Sequence, residues 1–178
     1  MPTPLRVLFV CVGNACRSQI AEALARRMAP DLLEVTSAGL SPLGRIPEAT
    51  RAVLQEHGIS LDGQFSKGLH DASLVPADVI VNLTGIPGVS LFSASRIPSR
   101  TDSATQSPSA KVLDWDVYDP YGDDEETYRR VRDDIEFRLC EWIAALRIEH
   151  DAVIEAAADA LEDAAPLDTG NVLDTEKD

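Results

Sequence analysis

The sequence predicts an α/β protein of three layers, in which a four-stranded parallel sheet carries helices on both faces. Short apolar runs alternate with segments of helical periodicity, a pattern typical of parallel strands connected by helices. The length of 178 residues suits one domain with a single core. Because such sheets bind ligands at the carboxyl ends of their strands, we expect a site at the loop that follows the first strand.

Four apolar runs are the predicted strands. The first, residues 5–10, has the near-continuous hydrophobicity of a strand that is buried on both faces. The other three runs lie at residues 33–37, 79–83 and 112–113.

Three further segments have helical patterns. The first covers residues 19–28, and the second begins at Pro47, a favoured first residue of a helix, and stops at Gly58. The third starts beyond Tyr121, and Cys140 on it is predicted to belong to the core. Its apolar residues recur at spacings of three and four, which is one helical stripe. These residues are Tyr128, Val131, Ile135, Leu139, Trp142 and Leu146.

The acidity of the chain is concentrated at its C-terminal end. Residues 148–178 hold ten Asp or Glu against the single Lys177, so they carry −9 of the net charge of −14, and the first 147 residues carry −5. We expect a folded domain over residues 1–147, then an acidic helical extension that ends in a disordered tail after Pro166. Residues 93–110, rich in Ser, Thr, Pro and Arg, are predicted to form an exposed, mobile loop.

Charge and composition also limit the partners. A negative surface repels nucleic acids and anionic lipids, so neither is expected to bind. No apolar run is long enough to span a bilayer, no signal-peptide pattern is present, and the three cysteines do not form a secreted disulfide framework, which together predict a cytoplasmic protein. The three histidines are scattered, so neither a metal nor a cofactor is expected. The oligomeric state is left open.

The loop after the first strand has the composition of an anion site. Residues 11–18 read Cys-Val-Gly-Asn-Ala-Cys-Arg-Ser and lead into a helix, whose N-terminal N–H groups and dipole attract an anion. Gly13 lets the loop bend, and Arg17 can hold two phosphate oxygens with its planar fork. The same positive surroundings favour the thiolate of Cys11, a good nucleophile for phosphorus, and Ser18 can donate a hydrogen bond to it.

The alternative is that Cys11 is a buried structural thiol and Arg17 an exposed helical residue. A strand before the motif, a helix after it and a glycine inside it favour the functional interpretation. A phosphoryl-transfer site of this kind also needs a general acid, and Asp119, restricted by the proline that follows it, is the candidate. Four nearby aspartates compete for that role: Asp114, Asp116, Asp123 and Asp124.

Residues 7–18, followed by Ala-Glu-Ala, resemble the signature of the low-molecular-weight protein tyrosine phosphatases. The resemblance extends to residues 37–39, 77–80 and 119–121 and covers about residues 5–147. It implies a phosphatase domain over residues 1–147 that hydrolyses phosphotyrosine without metal through a phosphocysteine intermediate. The catalytic residues that it implies are Cys11, Arg17 and Asp119, and the residues that it implies for loop support are Asn14 and Ser37. The implied substrate-binding residues are Val12, Gly13, Asn14, Ala15, Cys16, Ser18 and Tyr121.

The same superfamily contains arsenate reductases, which are the first alternative. Gln19 stands where the phosphatases usually have Pro, residues 58–66 are reminiscent of the reductases, and residues 40–44 lack an aromatic wall. Against this, residues 82–90 contain no cysteine to pass a disulfide outward, so a reductase would need an external thiol. A non-catalytic anion-binding regulator is the second alternative.

Three details remain open in the sequence. Ala15 matches neither the larger Ile of phosphotyrosine-specific relatives nor the Thr of phosphoarginine phosphatases. The expected substrate is therefore a protein phosphotyrosine first, and phosphoarginine or a small aryl phosphate second. Cys16 either forms a protective disulfide with Cys11 under oxidation or fills the underside of the loop. Tyr121 is the better candidate than Tyr118 for stacking on an aryl group.

Overall fold

The computed structural model describes residues 3–69, 77–92 and 110–163. Residues 93–109 of the predicted mobile loop and the predicted disordered tail after Pro166 lie outside this part. The described chain forms a four-stranded parallel sheet, in the order β2-β1-β3-β4. The strands are β1 (Leu5–Cys11), β2 (Leu33–Gly39), β3 (Val79–Asn82) and β4 (Lys111–Asp114). The predicted parallel sheet is therefore confirmed, and each predicted strand is present.

Four helices accompany the sheet in the described part of the chain. They are α1 (Arg17–Met28), α2 (Glu48–Gln55), α3 (Gly88–Phe92) and α4 (Glu125–Asp163). Three were predicted, although α1 begins two residues earlier than expected and Pro47 lies just outside α2 as its N-cap. The short α3 was missed, because five residues are too few to show a helical period.

The two faces of β1 are covered by different helices, as expected for three layers. Successive side chains of a strand point to opposite faces. Leu8 and Val10 pack in a buried cluster that Phe92 of α3 joins. Phe9 points the other way and meets Trp115, whose ring contacts Trp142 of α4 edge-on at 6.1 Å.

The apolar stripe of α4 is buried for most of its predicted length. Tyr128, Val131, Ile135 and Leu139 are all buried. Cys140, however, is exposed, which contradicts its predicted place in the core. The physical reason is the helical turn of about 100° per residue, which carries the side chain after Leu139 away from the sheet.

The chain divides into two compact units, Met1–Ile143 and Ala144–Asp178. In the second unit the helical residues include three exposed apolar side chains: Ile148, Val153 and Ile154. The roles assigned from the sequence to residues 1–147 and 148–178 stay predictions. No described helix is both long enough and apolar enough to cross a membrane.

An ion-pair cluster joins the end of α2 to α4. Arg132 is buried and donates to the carbonyl oxygen of Val53 at 2.8 Å and to the Glu56 carboxylate at 2.8 Å. Arg129 donates to the other oxygen of Glu56 at 2.9 Å. Hydrogen bonds from Arg132 first and Arg129 second hold the pKa of Glu56 below its ordinary value.

We expect Glu56→Gln to lower the Tm at pH 7, because the variant cannot accept both arginines as an anion. A carboxylate whose pKa is lowered by folding stabilises the folded protein at every pH above the pKa that it has in the unfolded chain, about 4.3 for Glu. This stabilisation is lost as the pH falls through the lower pKa of the folded protein. Thermal unfolding at pH 7, 5 and 3 should therefore show a Tm difference that shrinks at the lowest pH. Glu34→Gln, at an exposed residue of β2, is the matched control. A difference that persists unchanged at pH 3 would contradict the ion-pair explanation.

Candidate active site

Three carbonyl groups of the loop between β1 and α1 are bound by the segment that follows β2. The carbonyl oxygens of Cys11, Val12 and Gly13 accept hydrogen bonds of 2.8–3.1 Å from the backbone N–H groups of residues 40, 41 and 43. Cys16, the N-cap of α1, provides no side-chain cap. The first N–H groups of α1 thus have no side-chain acceptor at the cap, which is the condition for anion binding at a helix N-terminus.

Gly39 allows β2 to approach this loop closely. A Cβ atom at Gly39 would lie 2.8 Å from the backbone nitrogen of Asn14 and 2.9 Å from the carbonyl oxygen of Val12. Both atoms belong to the backbone, so they cannot rotate away as a flexible side chain could. The loop therefore depends on the absence of a side chain at the end of β2.

Asn14 shapes the loop from within. It is fully buried and has a φ of 44°, a left-handed conformation that only short polar residues and glycine adopt readily. Its Nδ2 donates to Ser18 Oγ at 2.9 Å and to Ser37 Oγ at 2.8 Å, and its Oδ1 accepts from the backbone N–H of Lys67 at 2.8 Å. Asn14 and Ser37, the two residues for which the resemblance implied loop support, are thus joined by a hydrogen bond, and their role stays a prediction.

The nucleophile candidate lies at the end of β1. Cys11 is buried, and its Sγ is 2.9 Å from Ser18 Oγ. Because Ser18 already accepts a hydrogen bond from Asn14, the single hydroxyl hydrogen of Ser18 is free to point at Cys11. A hydrogen bond of this direction stabilises a thiolate.

Arg17 is buried and held by its terminal nitrogens. Nη1 donates to the carbonyl oxygens of Leu83 at 2.8 Å and Val117 at 3.4 Å, and Nη2 contacts Asp119 Oδ2 at 2.5 Å. Its Nε is buried and has no hydrogen-bond partner among the residues that the structure describes. An unpaired buried donor is costly, so an oxyanion that accepts from Nε would relieve the cost.

A cavity of about 220 Å³ brings the three predicted catalytic residues together. Asp119 is the one aspartate that lines it within the described chain. Of its competitors, Asp114 accepts from Asn82 and Gly88, and Asp124 caps α4 through Thr127, which lowers the pKa of that carboxyl. The lining residues are Cys11, Val12, Gly13, Ala15, Cys16, Arg17, Ser41, Leu43, Asp119 and Tyr121.

The other predicted site residues fall into two groups. Tyr121 lines the cavity and is half exposed, whereas Tyr118 borders a separate cavity of about 430 Å³. The side chains of Asn14 and Ser18 are fully buried, so they can serve an anion only through the backbone and through Cys11. Leu43 lines the cavity and was not predicted as a site residue, because an isolated leucine in a loop carries no chemical signal.

Cys16 is a free thiol that shares the cavity with Cys11. Its Sγ is 3.4 Å from the hydroxyl oxygen of Tyr128, and burial raises the pKa of the Cys16 thiol. Burial also raises the pKa of Tyr128. Burial therefore favours the neutral form of the Cys16 thiol and makes it less reactive than an exposed cysteine. Its disulfide with Cys11 stays a prediction.

One group among the described residues could hold a metal ion by residue type. The ligand atoms of His57, Asp133 and Glu136 lie within 4.8 Å of one another. Each side chain already has a partner, since His57 pairs with Glu136 at 3.4 Å and Arg132 with Asp133 at 2.8 Å. None of the three lines the cavity of Cys11.

The site thus consists of a cysteine at the end of a strand, an arginine at the first residue of the following helix and an acid that shares their cavity. The family model of low molecular weight phosphotyrosine protein phosphatases matches residues 6–152. The chain belongs to this family.

Its relatives include two kinds of enzyme. A glutaredoxin arsenate reductase of Synechocystis is 33% identical over 141 residues, 79% of this chain and 98% of the relative. An arginine phosphatase from Geobacillus stearothermophilus has a similar structure, with 30% identity, a TM-score of 0.64 and coverage of 82% of this chain and 95% of the other. An arsenate reductase in a phosphate-binding state has 30% identity and a TM-score of 0.61, with coverage of 79% and 98%.

We expect Gly39→Ala to displace the loop and weaken binding of inorganic phosphate, because the new Cβ collides with two backbone atoms. The cost of such overpacking is about 1–3 kcal/mol, which thermal or urea unfolding would measure. Gly58→Ala is the control, since Gly58 also resists substitution, with a φ of 68°, but has open space around it. Equal losses of phosphate affinity in the two variants would contradict a specific contact between β2 and the loop.

Proposed function

We propose that this protein is a phosphatase that cleaves a phosphate monoester through a phosphocysteine on Cys11. The observation that supports it is the shared cavity: Cys11, Arg17 and Asp119 face the same space of about 220 Å³. A nucleophile, an oxyanion clamp and a proton donor are the three groups that this reaction requires.

In the first step the Cys11 thiolate attacks phosphorus, so that an S–P bond forms as the P–O bond to the leaving group breaks. The loop N–H groups and Arg17 hold the non-bridging oxygens, where charge accumulates. Asp119, in its protonated form, gives its proton to the leaving oxygen, which departs as a neutral alcohol or phenol.

In the second step the Asp119 carboxylate takes a proton from a water molecule, whose oxygen attacks phosphorus. The S–P bond breaks and inorganic phosphate leaves. The thiolate is regenerated, and the Ser18 hydroxyl, 2.9 Å from Cys11, stabilises it as a leaving group.

The proposed substrate is a phosphorylated protein, with phosphotyrosine first and phosphoarginine or a small aryl phosphate second. Leu43 and Tyr121 give the cavity apolar and aromatic walls that suit a phenyl ring. The similarity to an arginine phosphatase supports phosphoarginine as the second choice. We place the reaction in the cytoplasm, where the free thiols Cys11 and Cys16 stay reduced.

The second candidate is an arsenate reductase. Gln19 and the similarity to reductases that are 33% identical favour it. The described cavity contains Cys11 and Cys16, and Cys140 is exposed on α4, while residues 82–90 hold no cysteine. In this candidate the second thiol comes from outside the chain, such as glutaredoxin in the name of the Synechocystis relative. Cys11 and that thiol together give up one electron pair, so that arsenate and two thiols give arsenite, a disulfide and water.

Hydrolysis of an aryl phosphate at mildly acidic pH, without added metal, tests the first proposal. We expect turnover in the wild type and none in Cys11→Ser. The serine hydroxyl is far less acidic than a thiol, so it does not ionise and cannot replace the thiolate as nucleophile. Asp119→Asn should reduce kcat by roughly 100-fold or more, the usual contribution of a general acid. Asp123→Asn is the matched control, since Asp123 does not line the cavity, and it should retain activity. Absence of turnover in the wild type would contradict the proposed phosphatase activity.

Arsenate-dependent oxidation of glutathione, or of glutaredoxin with its reductase, tests the second candidate. If the protein is a reductase, we expect arsenite formation to require the external thiol and to vanish in Cys11→Ser. Asp119→Asn should then have little effect, since no alkoxide has to leave. Binding of phosphate without either turnover would leave the non-catalytic anion-binding regulator and contradict both enzymes.

A further inference from the structure

A buried glutamine on α1 points its amide at the loop. The side chain of Gln19 is fully buried. Its Nε2 lies 3.0 Å from the carbonyl oxygen of Phe65, 3.2 Å from the carbonyl oxygen of Asn14 and 2.9 Å from Asn14 Oδ1. Backbone carbonyl oxygens can only accept hydrogen bonds, so the NH₂ group of Gln19 has to be on this side.

A second glutamine holds the other end of the same amide. Gln64 donates from Nε2 to Gln19 Oε1 at 2.8 Å and to the carbonyl oxygen of Gln19 at 3.3 Å. Gln64 is itself buried, in the segment that follows α2. The amide of Gln19 therefore has a donor at its oxygen and acceptors at its nitrogen, which leaves it one orientation.

The oriented amide of Gln19 helps to orient the side-chain amide of Asn14. Asn14 Oδ1 accepts from Gln19 and from the backbone N–H of Lys67, a group that can only donate. Asn14 Nδ2 is thereby directed at the hydroxyls of Ser18 and Ser37. Ser18 Oγ accepts from Asn14 and keeps its one hydrogen for another acceptor, and Cys11 Sγ lies 2.9 Å away. Because a thiolate can only accept, Ser18 is the donor when Cys11 is ionised. The hydrogen bonds run in one direction from Gln64 to Cys11.

We propose that Gln19 and Gln64 are positioning residues for the thiolate of Cys11. They fix the Asn14 amide so that Ser18 donates to sulfur, and this proposal rests on the role of Cys11 as nucleophile in the proposed function. Reversal of the hydrogen bonds at either glutamine would leave the Lys67 N–H as the one donor that orients Asn14 Oδ1 among the described contacts, so the Asn14 amide would be held less firmly. In each molecule whose Asn14 amide turns, Ser18 donates to Asn14 and the thiolate loses a charge-assisted hydrogen bond. The loop N–H groups and Arg17 would still hold the anion.

Isosteric variants separate direction from packing. In Gln19→Glu and Gln64→Glu a carboxylate that can only accept replaces the donating amide, so it repels the facing oxygens and favours the reversed orientation of the next amide. Gln19→Met and Gln64→Met only remove the hydrogen bonds. Gln55→Glu, the same change at an exposed residue of α2, is the matched control. The primary readout is the rate of iodoacetamide alkylation of Cys11 at pH 7, followed by mass spectrometry of the Cys11 peptide because Cys140 is exposed.

We expect Gln19→Glu to slow Cys11 alkylation and to lower kcat by roughly tenfold, the equivalent of one hydrogen bond to a charged group, with a smaller change in KM. Gln64→Glu should act in the same direction, and each Met variant less than its Glu counterpart. Gln55→Glu should behave as the wild type. The Tm of every variant is measured in parallel.

Equal alkylation rates in the Glu and Met variants, or a fall in Tm without a change in alkylation, would overturn the proposal and leave the glutamines as packing residues. If the Gln19 variants do not fold, the alkylation rates of Gln64→Glu and Gln64→Met test the proposal, since Gln64 lies one hydrogen bond further from the loop. Alkylation needs no turnover. A wild type without phosphatase activity but with the expected alkylation order would therefore reject the proposed function and retain this proposal.

Discussion

Asn14 holds the loop in a left-handed turn, and its buried amide is the contact on which the rest of the site depends. Ser18 and Ser37 accept from its nitrogen, while the Lys67 N–H and Gln19 donate to its oxygen. The φ of 44° costs free energy that these hydrogen bonds offset. With the turn fixed in this way, the carbonyl groups of Cys11, Val12 and Gly13 are bound by the segment after β2, and Cys11 lines the cavity with Arg17.

The sheet supplies the rigid frame for this loop. Cys11 is the last residue of β1, the central strand that pairs with β2 and β3 on its two sides, so the nucleophile is fixed by backbone hydrogen bonds. Gly39 ends β2 beside the loop without a side chain to push it away. The carbonyl oxygen of Leu83, just after β3, accepts from Arg17. The carboxyl ends of three neighbouring strands thus all lie beside the loop, as the parallel arrangement requires.

Charge in the site is balanced across the cavity. Arg17 is buried, and its guanidinium is shared between two backbone carbonyls and the Asp119 carboxylate. An incoming oxyanion meets a cation that is already oriented, with Nε free within the described chain. Because Asp119 is about half exposed, its side chain can adjust to a ligand at little cost, whereas the arginine cannot.

Local hydrophobic period and spacing within one loop predict the parallel sheet, three of the four described helices and the cluster of Cys11, Arg17 and Ser18. Spacing alone leaves Asp119 among four nearby aspartates, from which the resemblance selects it, and the helical pattern wrongly places Cys140 in the core. The cavity that Asp119 shares with Cys11 and the exposure of Cys140 are visible only in the folded chain, because each depends on which side chain a distant segment meets. Gln64 and Lys67 act on the loop from about 50 residues away, through contacts that no local pattern records.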